Sequence, residues 1–551
     1  MLVGKINRLL NIPDTAACVT ASGKFQRILR LRSLGGKVTT PPMKLNLNDY
    51  RQRVLGCWMG KNIGGTLGAP FEFYRQVNDV AFYSQDLGGE PLPNDDLDLQ
   101  LLWLIALEER GLDLDAHRLA EYWLSYITPH WSEYGTAKVN LRAGLQPPFS
   151  GTVGNDWKHS CGAFIRSEIW ACIAPGLPDV AVRYAVEDAI VDHGDGEGTW
   201  GEVFFAAAES AAFVCDDLAT LIEIGLSHIP AECGVARAVR CAVECVASGM
   251  DWREARDEIL RQHRGATLFG IPARTSDDDR AKGFDTGELG YDAPCNVALA
   301  VLALLIGGDD FGRVVTTATN CGEDTDCTAA TAGAMFGLMH GMDAIPPKWI
   351  EPIGREIKTL CLNLGELGAF GGQVPHDVDD LTDRTERITR QLLARHRDRM
   401  VLADDEPTHV ADVPPDALYA AEPLTRDLAT RVGVERYRFD FFTVDVDYQN
   451  GPTLRDGQSK AVTLTIRNTY KTHATFMVRW HLGDGWTVEP SRSGALLCLP
   501  PIMSPQTSAT FTVRAGEMTG PVARGVVELT IDGRATVMLV PVIFRNGNLM
   551  G

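Results

Sequence analysis

Residues 322–337 read GEDTDCTAATAGAMFG, and this stretch is the most informative part of the chain. Its acids precede a run of Ala and Gly, whose small side chains favour a closely packed, buried helix. Several carboxylates at a buried helix terminus repel one another unless they are protonated or bound to a cation. The stretch therefore predicts a cation site, and hard oxygen ligands favour magnesium, calcium or manganese over zinc.

The sequence around this stretch, residues 44–400, predicts an all-α domain. Leu97 to Glu109 is apolar nearly all round, which indicates a buried helix. Few stretches alternate with the period of two that strands show. The other helices are predicted at residues 49–59, 202–217, 293–306, 328–341 and 377–400.

The chain changes character after residue 400. Residues 401–435 contain four prolines and predict a linker. From residue 436, short β-branched and aromatic runs are separated by Gly, Pro, Asn and Asp, which predicts an antiparallel β-sandwich over 436–551. The predicted strands are 437–446, 462–467, 476–482, 509–513, 526–531 and 535–544.

Residues 1–43 form a basic extension with seven basic residues and one acid, Asp14. They lack the apolar core of a secretory signal. A basic, acid-poor start also fits an organellar transit peptide. We favour a disordered extension or a start codon assigned too early, since Met43 lies just before the first convincing helix.

Composition narrows the classes of partner. The 551 residues carry a formal net charge of −20, which argues against nucleic acid as a general partner. The longest apolar run, Val297 to Ile306, is half the length of a membrane span of about 20 residues. The 13 cysteines form no CxxC pair. They favour reduced thiols in a cytoplasmic protein.

Two further motifs carry candidate chemistry. Residues 93–98, PNDDLD, precede the apolar helix, where Asn also serves as an N-cap and acids suit the helix dipole. Residues 64–72, GGTLGAPFE, combine glycines that permit close backbone approach with one acid, Glu72. Either motif alone has an ordinary structural explanation, as a helix start or as a helix end and turn.

Taken together, the three motifs resemble the ADP-ribosylglycohydrolase family over about residues 47–350. The resemblance implies an all-α fold with a cleft for two Mg²⁺ ions, with Mn²⁺ or Ca²⁺ as alternatives. Asn94 and Cys327 stand where the family usually has Thr, and a thiol is a poor magnesium ligand. The metal ligands implied are Asn94, Asp95, Asp96, Asp324, Asp326 and Cys327, with Thr328 as a replacement for Cys327.

The same resemblance implies catalytic and substrate-binding residues. Glu72 matches an acid that the family places beside the scissile ribose, and Asp98 is a reserve because it lies one turn from Asp95. Gly162 lies in a segment that resembles the family's NGAxxR loop. His193 lies in a segment that resembles its THxxP region, although a lone His is more often structural than catalytic.

The implied activity is a magnesium-dependent glycohydrolase that cleaves the anomeric bond of an ADP-ribosyl or related ribosyl substrate, free or protein-linked. One alternative is a glycosidase acting on another furanoside or N-glycoside. Another is a non-catalytic binding or structural protein, like the lens crystallins of the family. We also expect that the chain can form a homodimer. The sandwich is expected either to pack against the helical domain or to mediate dimerisation.

Overall fold

The computed structural model describes residues 42–72, 74–264, 274–284, 292–408, 417–420, 433–535 and 537–549. Nearly all of the basic extension and most of the predicted linker lie outside these residues. Within them, the chain forms a helical body and a β-sandwich, which confirms the predicted fold class. No helix among the described residues is both long enough and apolar enough to cross a membrane.

The described part of the helical body contains helices of 4 to 22 residues, with 3₁₀ segments in some of the connections between them. They are α1 (Leu47–Gly68), α2 (Asp98–Arg110), α3 (Ala116–Tyr126), α4 (Ser132–Ala143), α5 (Phe149–Thr152), α6 (Glu168–Ile173), α7 (Pro178–Ala189), α8 (Glu197–Ala212), α9 (Leu218–Ser227), α10 (Gly234–Ala247), α11 (Trp252–His263), α12 (Asp277–Ala281), α13 (Ala293–Gly307), α14 (Phe311–Asn320), α15 (Thr325–His340), α16 (Pro347–Ile350) and α17 (Val378–Arg395).

Helices α1 and α15 are in backbone contact along a stripe of glycines. A Cβ atom built on Gly60 would lie 2.1 Å from the carbonyl oxygen of Gly333. One on Gly64 would lie 2.1 Å from the oxygen of Ala329, and one on Gly68 would lie 2.3 Å from that of Thr325. No side chain fits at these positions. The small residues therefore bring the end of α1 against the start of α15.

Two short parallel strands join the beginning and the end of the helical body. Strand β1 (Met43–Asn46) leads into α1, and β4 (Met400–Ala403) follows α17. They pair in register, with Met43 opposite Met400 and Asn46 opposite Ala403. A second short pair joins β2 (Tyr74–Arg75) to β3 (Arg274–Thr275). Residue 400 therefore begins a strand, whereas a helix was predicted to continue to this residue.

The sandwich has two five-stranded sheets, in the orders β10-β12-β8-β6-β5 and β11-β9-β13-β14-β7. All pairs are antiparallel except β14 with β7. The strands are β5 (Val434–Phe439), β6 (Phe442–Asp447), β7 (Thr453–Leu454), β8 (Ser459–Asn468), β9 (Ala474–His481), β10 (Thr487–Glu489), β11 (Ser493–Cys498), β12 (Gln506–Arg514), β13 (Val522–Ile531) and β14 (Val537–Asn546).

Two details of the predicted sandwich were wrong. The run 437–446 was predicted as one strand, but it forms a hairpin of β5 and β6 with a turn at Asp440 and Phe441. This turn contains no Gly or Pro, so the usual sequence signal is missing. The short strands β7, β10 and β11 were also not predicted.

The sandwich packs against α4 and α5 of the helical body. Leu145 and Phe149 are buried in the core of the sandwich. Arg524 Nη2 donates a hydrogen bond to the carbonyl oxygen of Ala143 at 2.6 Å, and Arg438 forms an ion pair with Glu187. The sandwich thus contacts the end of α4, whose first turn reaches the site described next.

Candidate functional site

A cavity of about 400 Å³ opens where the starts of α4 and α15, the approach to α2 and the end of α1 meet. This volume falls within the range typical of small-molecule sites, about 300–1,000 Å³. Its walls carry carboxyl, thiol, hydroxyl and aromatic groups. The lining residues are Ala69, Glu72, Pro93, Asn94, Asp95, Trp131, Ser132, Glu133, Ser160, Cys161, Gly162, Ile165, Asp324, Asp326, Cys327 and Leu360.

The start of α15 is held in place by its neighbours. Gly322 and Glu323 both have left-handed backbone conformations, with φ of 73° and 68°, and turn the chain into the helix. Such a conformation costs about 1–3 kcal/mol at a non-Gly residue. The Glu323 carboxylate is paired with Arg264. The Thr325 hydroxyl donates to the carbonyl oxygen of Gly68 at 2.8 Å, so α15 begins against the end of α1.

Asn94 connects the two acidic motifs. Its Oδ1 accepts a hydrogen bond from the Asp96 backbone at 2.6 Å, and its Nδ2 donates to Asp326 Oδ2 at 3.3 Å. A Cβ on Gly65 would lie 2.7 Å from Asn94 Nδ2. The glycine therefore leaves space for this amide, and the amide links the segment before α2 to α15.

The carboxyl groups form two overlapping sets that could hold a cation. In one set, ligand atoms of Asp96, Asp326 and Cys327 lie within 4.8 Å of one another. In the other, Glu72, Asp324 and Asp326 do so. Asp326 belongs to both. We call Glu72, Asp95, Asp96, Asp324 and Asp326 the carboxylate cluster.

The carboxylate cluster carries more negative charge than the neighbouring protein cation balances. Lys61 Nζ lies 3.6 Å from Asp96 Oδ1, and 2.7 Å from Glu168. Burial and the facing Asp326 raise the pKa of Asp95 to about 7. Burial, together with Asp326 and Asp324, raises the pKa of Glu72 to about 11. Both shifts indicate carboxyl groups that a bound cation would stabilise in their charged form.

The residues fit a divalent cation. Asp96 Oδ1 and Oδ2, Asp324 Oδ1 and Asp326 Oδ1 are buried oxygens without a hydrogen-bond partner. Buried polar atoms are normally satisfied, so these oxygens are free to act as ligands. Oxygen donors suit Mg²⁺, Ca²⁺ or Mn²⁺. The Cys327 thiol does not suit Mg²⁺, because sulfur favours softer metals.

Two predicted residues are turned away from the cavity. Asp98 is fully buried and its Oδ2 accepts backbone N–H bonds from residues 360 to 362, at 2.7 Å for Leu360. The predicted i+3 relation to Asp95 does not apply, because α2 begins at Asp98 and Asp95 precedes the helix. Thr328 is also fully buried, and its hydroxyl donates to the carbonyl oxygen of Thr325 at 3.3 Å.

Of the two predicted substrate-binding residues, only Gly162 lines the cavity. A Cβ on it would lie 2.1 Å from Glu133 Oε1, so the glycine lets the Glu133 carboxyl approach. His193 is fully buried. Its Nε2 lies 3.2 Å from the hydroxyl of Ser160, and Ser160 does line the cavity.

Sequence patterns did not predict the other residues that line the cavity. Trp131 and Glu133 come from the start of α4, which no motif marks. Leu360 comes from a loop that returns to the cavity from another part of the chain. Cys161 and Ser160 lie in a segment that was noted for Gly162, but their spacing carries no signal of its own.

The chain is similar to known proteins over this region. The family model described as ADP-ribosylglycohydrolase matches residues 46–374, more than half of the chain. ADP-ribosylarginine hydrolase Tri1 of Pseudomonas putida (strain GB-1) is 31% identical over 67 residues, which are 12% of this chain. The matched segment spans 18% of the length of that relative.

Two solved structures are also similar to parts of the chain. One, an ADP-ribosylglycohydrolase-related protein complex, has 20% identity and a TM-score of 0.41, covering 62% of this chain and 100% of the other. The second, a FixG-related protein from Vibrio parahaemolyticus, has 10% identity and a TM-score of 0.15. It covers 21% of this chain and 93% of the other.

Proposed function

Because this chain belongs to the ADP-ribosylglycohydrolase family, we propose that it hydrolyses the anomeric bond of an ADP-ribosyl or related ribosyl substrate with bound divalent cations. The family comprises hydrolases that act on glycosyl bonds. One observation carries the proposal: unpartnered carboxylate oxygens from two separate helix starts meet at a cavity of about 400 Å³.

Asp95, Asp96, Asp324 and Asp326 would hold the cations, and Asn94 would keep the two acidic segments in register through its bond to Asp326. When bound, divalent cations orient sugar hydroxyls and water and polarise them. We propose Mg²⁺ or Mn²⁺, two ions being the number that the family resemblance implies. The overlap of two candidate ligand sets at Asp326 supports two adjacent positions.

Glu72 is the proposed catalytic carboxylate. It lines the cavity at the end of the 3₁₀ turn that follows α1, and it belongs to the same cluster as Asp324 and Asp326. As the glycosidic bond breaks, positive charge develops on the sugar ring. A carboxylate at this position stabilises that charge or takes the proton of the attacking water.

Substrate binding requires a protein group that recognises the sugar or the base of the substrate. Trp131 lines the cavity and is 43% exposed, so its indole face is free to pack against a ring. The described cysteines other than Cys215 are free thiols, which suits a reducing cytoplasm. We therefore propose a small or protein-linked cytoplasmic substrate.

Purified protein with Mg²⁺ should be screened against ADP-ribosyl-arginine, ADP-ribosyl-serine and simple ribosides and arabinosides. Turnover that a chelator stops and Mg²⁺ restores is expected, and Asp326→Asn should lack it. Turnover of the simple furanosides alone would favour the broader glycosidase. Thermal stabilisation by ADP-ribose without any turnover would instead favour a binding protein. This alternative is tested because Cys327, a poor Mg²⁺ ligand, belongs to one candidate ligand set.

A further inference from the structure

A row of three buried polar side chains, Ser160, His193 and Asp192, reaches the cavity at Ser160. Ser160 lines the cavity, and its Oγ lies 3.2 Å from His193 Nε2. On the other side of the ring, His193 Nδ1 lies 3.0 Å from Asp192 Oδ1. This contact is a short ion-pair distance and not a hydrogen bond, since His193 Nδ1 has no hydrogen-bond partner among the described residues. Of the three neighbouring side chains, Ser160 lines the cavity and is hydrogen-bonded to the ring.

Asp192, which lies farthest from the cavity in this row of side chains, is held by Arg166 and is charged. Arg166 Nη1 and Nη2 donate to the two carboxylate oxygens of Asp192 at 3.0 and 2.5 Å. Although burial raises the pKa of Asp192, Arg166 and His193 outweigh it and lower this pKa to about 2. Asp192 is therefore an anion at neutral pH, and it lies beside the imidazole of His193.

The imidazole ring is held in one orientation. A Cβ on Gly198, in the first turn of α8, would lie 2.0 Å from His193 Cδ2, so the ring fills the space that the glycine leaves. His193 and Asp192 are both fully buried. A substrate in the cavity therefore meets Ser160 and does not meet the ring.

We propose that Ser160 is a catalytic residue that passes a proton from His193 to the departing group of the substrate, with His193 and Asp192 as positioning residues. The proposal rests on the proposed function. Such an arrangement of hydroxyl, imidazole and carboxylate moves protons in many enzymes, whatever bond is broken.

The proton and electron pair can be followed through the step. The bond between the anomeric carbon and the leaving atom breaks, and its electron pair stays with the leaving atom. That atom takes the Ser160 proton while Ser160 Oγ receives one from His193 Nε2, which leaves His193 neutral. Water adds to the anomeric carbon and gives its proton to Glu72. Solvent then returns a proton to His193 and removes one from Glu72.

A comparison of leaving groups tests this role. Two ADP-ribosides are used, one releasing 4-nitrophenolate, which leaves without a proton, and one releasing the alkoxide of serine, which requires a proton. We expect Ser160→Ala to lower kcat/KM for the serine substrate about 100-fold, the scale of general acid catalysis, and to change the 4-nitrophenyl substrate little. An equal loss for both substrates, or no loss, would overturn the proposal.

Ser150→Ala is the matched control. The Ser150 hydroxyl donates to the carbonyl oxygen of Val191 at 2.6 Å, so this variant also removes a buried serine bond to the segment that carries Asp192 and His193. Ser150 does not line the cavity. Ser150→Ala should change kcat/KM for both substrates by the same factor, because it removes only a structural hydrogen bond.

A second measurement does not depend on turnover. The ¹⁵N resonance of His193 Nε2 should shift in Ser160→Ala, because the ring loses its hydrogen-bond partner, and Ser150→Ala should leave it in place. An unchanged resonance in Ser160→Ala would overturn the relay even in an active enzyme. Failure of the wild-type protein to hydrolyse either substrate would instead refute the proposed function, and the resonance would still decide whether Ser160 and His193 are coupled.

Discussion

Two groups of buried acids differ in how protein cations balance their negative charge. In the first, Asp188, Asp192 and Glu202 surround Arg166, with Arg166 Nε 3.0 Å from Asp188 and 3.8 Å from Glu202. We call these four residues the arginine cluster. In the second, the five acids of the carboxylate cluster have Lys61 at their edge, 3.6 Å from Asp96.

The pKa shifts show the difference. In the arginine cluster, the guanidinium helps to bring the pKa of Asp192 down to about 2 despite its burial, whereas burial keeps the pKa of Asp188 and Glu202 raised. In the carboxylate cluster, burial and neighbouring acids raise the pKa of Asp95 to about 7. A buried acid with a protein cation is part of the scaffold, whereas a buried acid without one is available to a ligand cation.

The largest expected effect is on catalysis and would come from Asp326→Asn, since Asp326 belongs to both candidate ligand sets. We expect kcat/KM to fall on the order of 10³-fold, the upper range for loss of one electrostatic group at a reacting centre. Without added cation the variant should melt no lower than the wild type, because a repulsive charge has been removed. A variant with full turnover would show that the carboxylate cluster is not the metal site.

The opposite result is expected in the arginine cluster. Asp192→Asn breaks the buried bidentate pair that Arg166 Nη1 and Nη2 form with the Asp192 carboxylate, so the free energy of unfolding should fall by about 3–5 kcal/mol. Denaturant titration measures this. Asp113→Asn is the control, because its ion pair with Arg395 is exposed and worth about 0–1 kcal/mol. Equal losses in the two variants would remove the distinction between the clusters.

Cation removal should act on the carboxylate cluster alone. At a cation concentration 100 times the Kd, binding stabilises the folded state by about 2.7 kcal/mol, so a chelator should lower the Tm of the wild type. The chelator should not change the Tm of Asp326→Asn. Asp192→Asn should start from a lower Tm and still respond, because its cation ligands are intact.

The smallest effect concerns metal choice. Cys327→Thr replaces the thiol with a hydroxyl, and Mg²⁺ should bind about tenfold more tightly, which corresponds to about 1.4 kcal/mol. Calorimetric titration with Mg²⁺ and Mn²⁺ measures the change. Cys215→Ser, away from the cavity, should leave both affinities as they are. Unchanged Mg²⁺ affinity in Cys327→Thr would mean that residue 327 does not reach the cation.

Sequence reasoning worked best where the signal is local. The two acidic motifs lie beside helix starts, and the structure brings Asp95, Asp96, Asp324 and Asp326 together at the cavity. Helix α8 was predicted five residues too far along the chain, because Gly196 and Gly198 at its start resemble a loop. Gly198 is small because the His193 ring occupies the space beside it.

Groups that depend on distant parts of the chain could not be predicted. The Asp98 carboxylate accepts hydrogen bonds from the backbone of residues 360–362, which are distant in sequence. Glu133 enters the cavity from α4, where Gly162 makes room for it. His193 was predicted to bind substrate, yet Ser160 stands between it and the cavity. Each outcome depends on tertiary packing, which a single local motif does not predict.

The pairing of β1 with β4 has a consequence for protein engineering. Because Met43 lies opposite Met400, the first and last described strands of the helical body lie side by side. Joining these ends with a short connector and opening an exposed loop elsewhere would give a circular permutant with the same cavity. For the same reason, the helical body could be inserted into a loop of another protein, because its two ends lie next to each other.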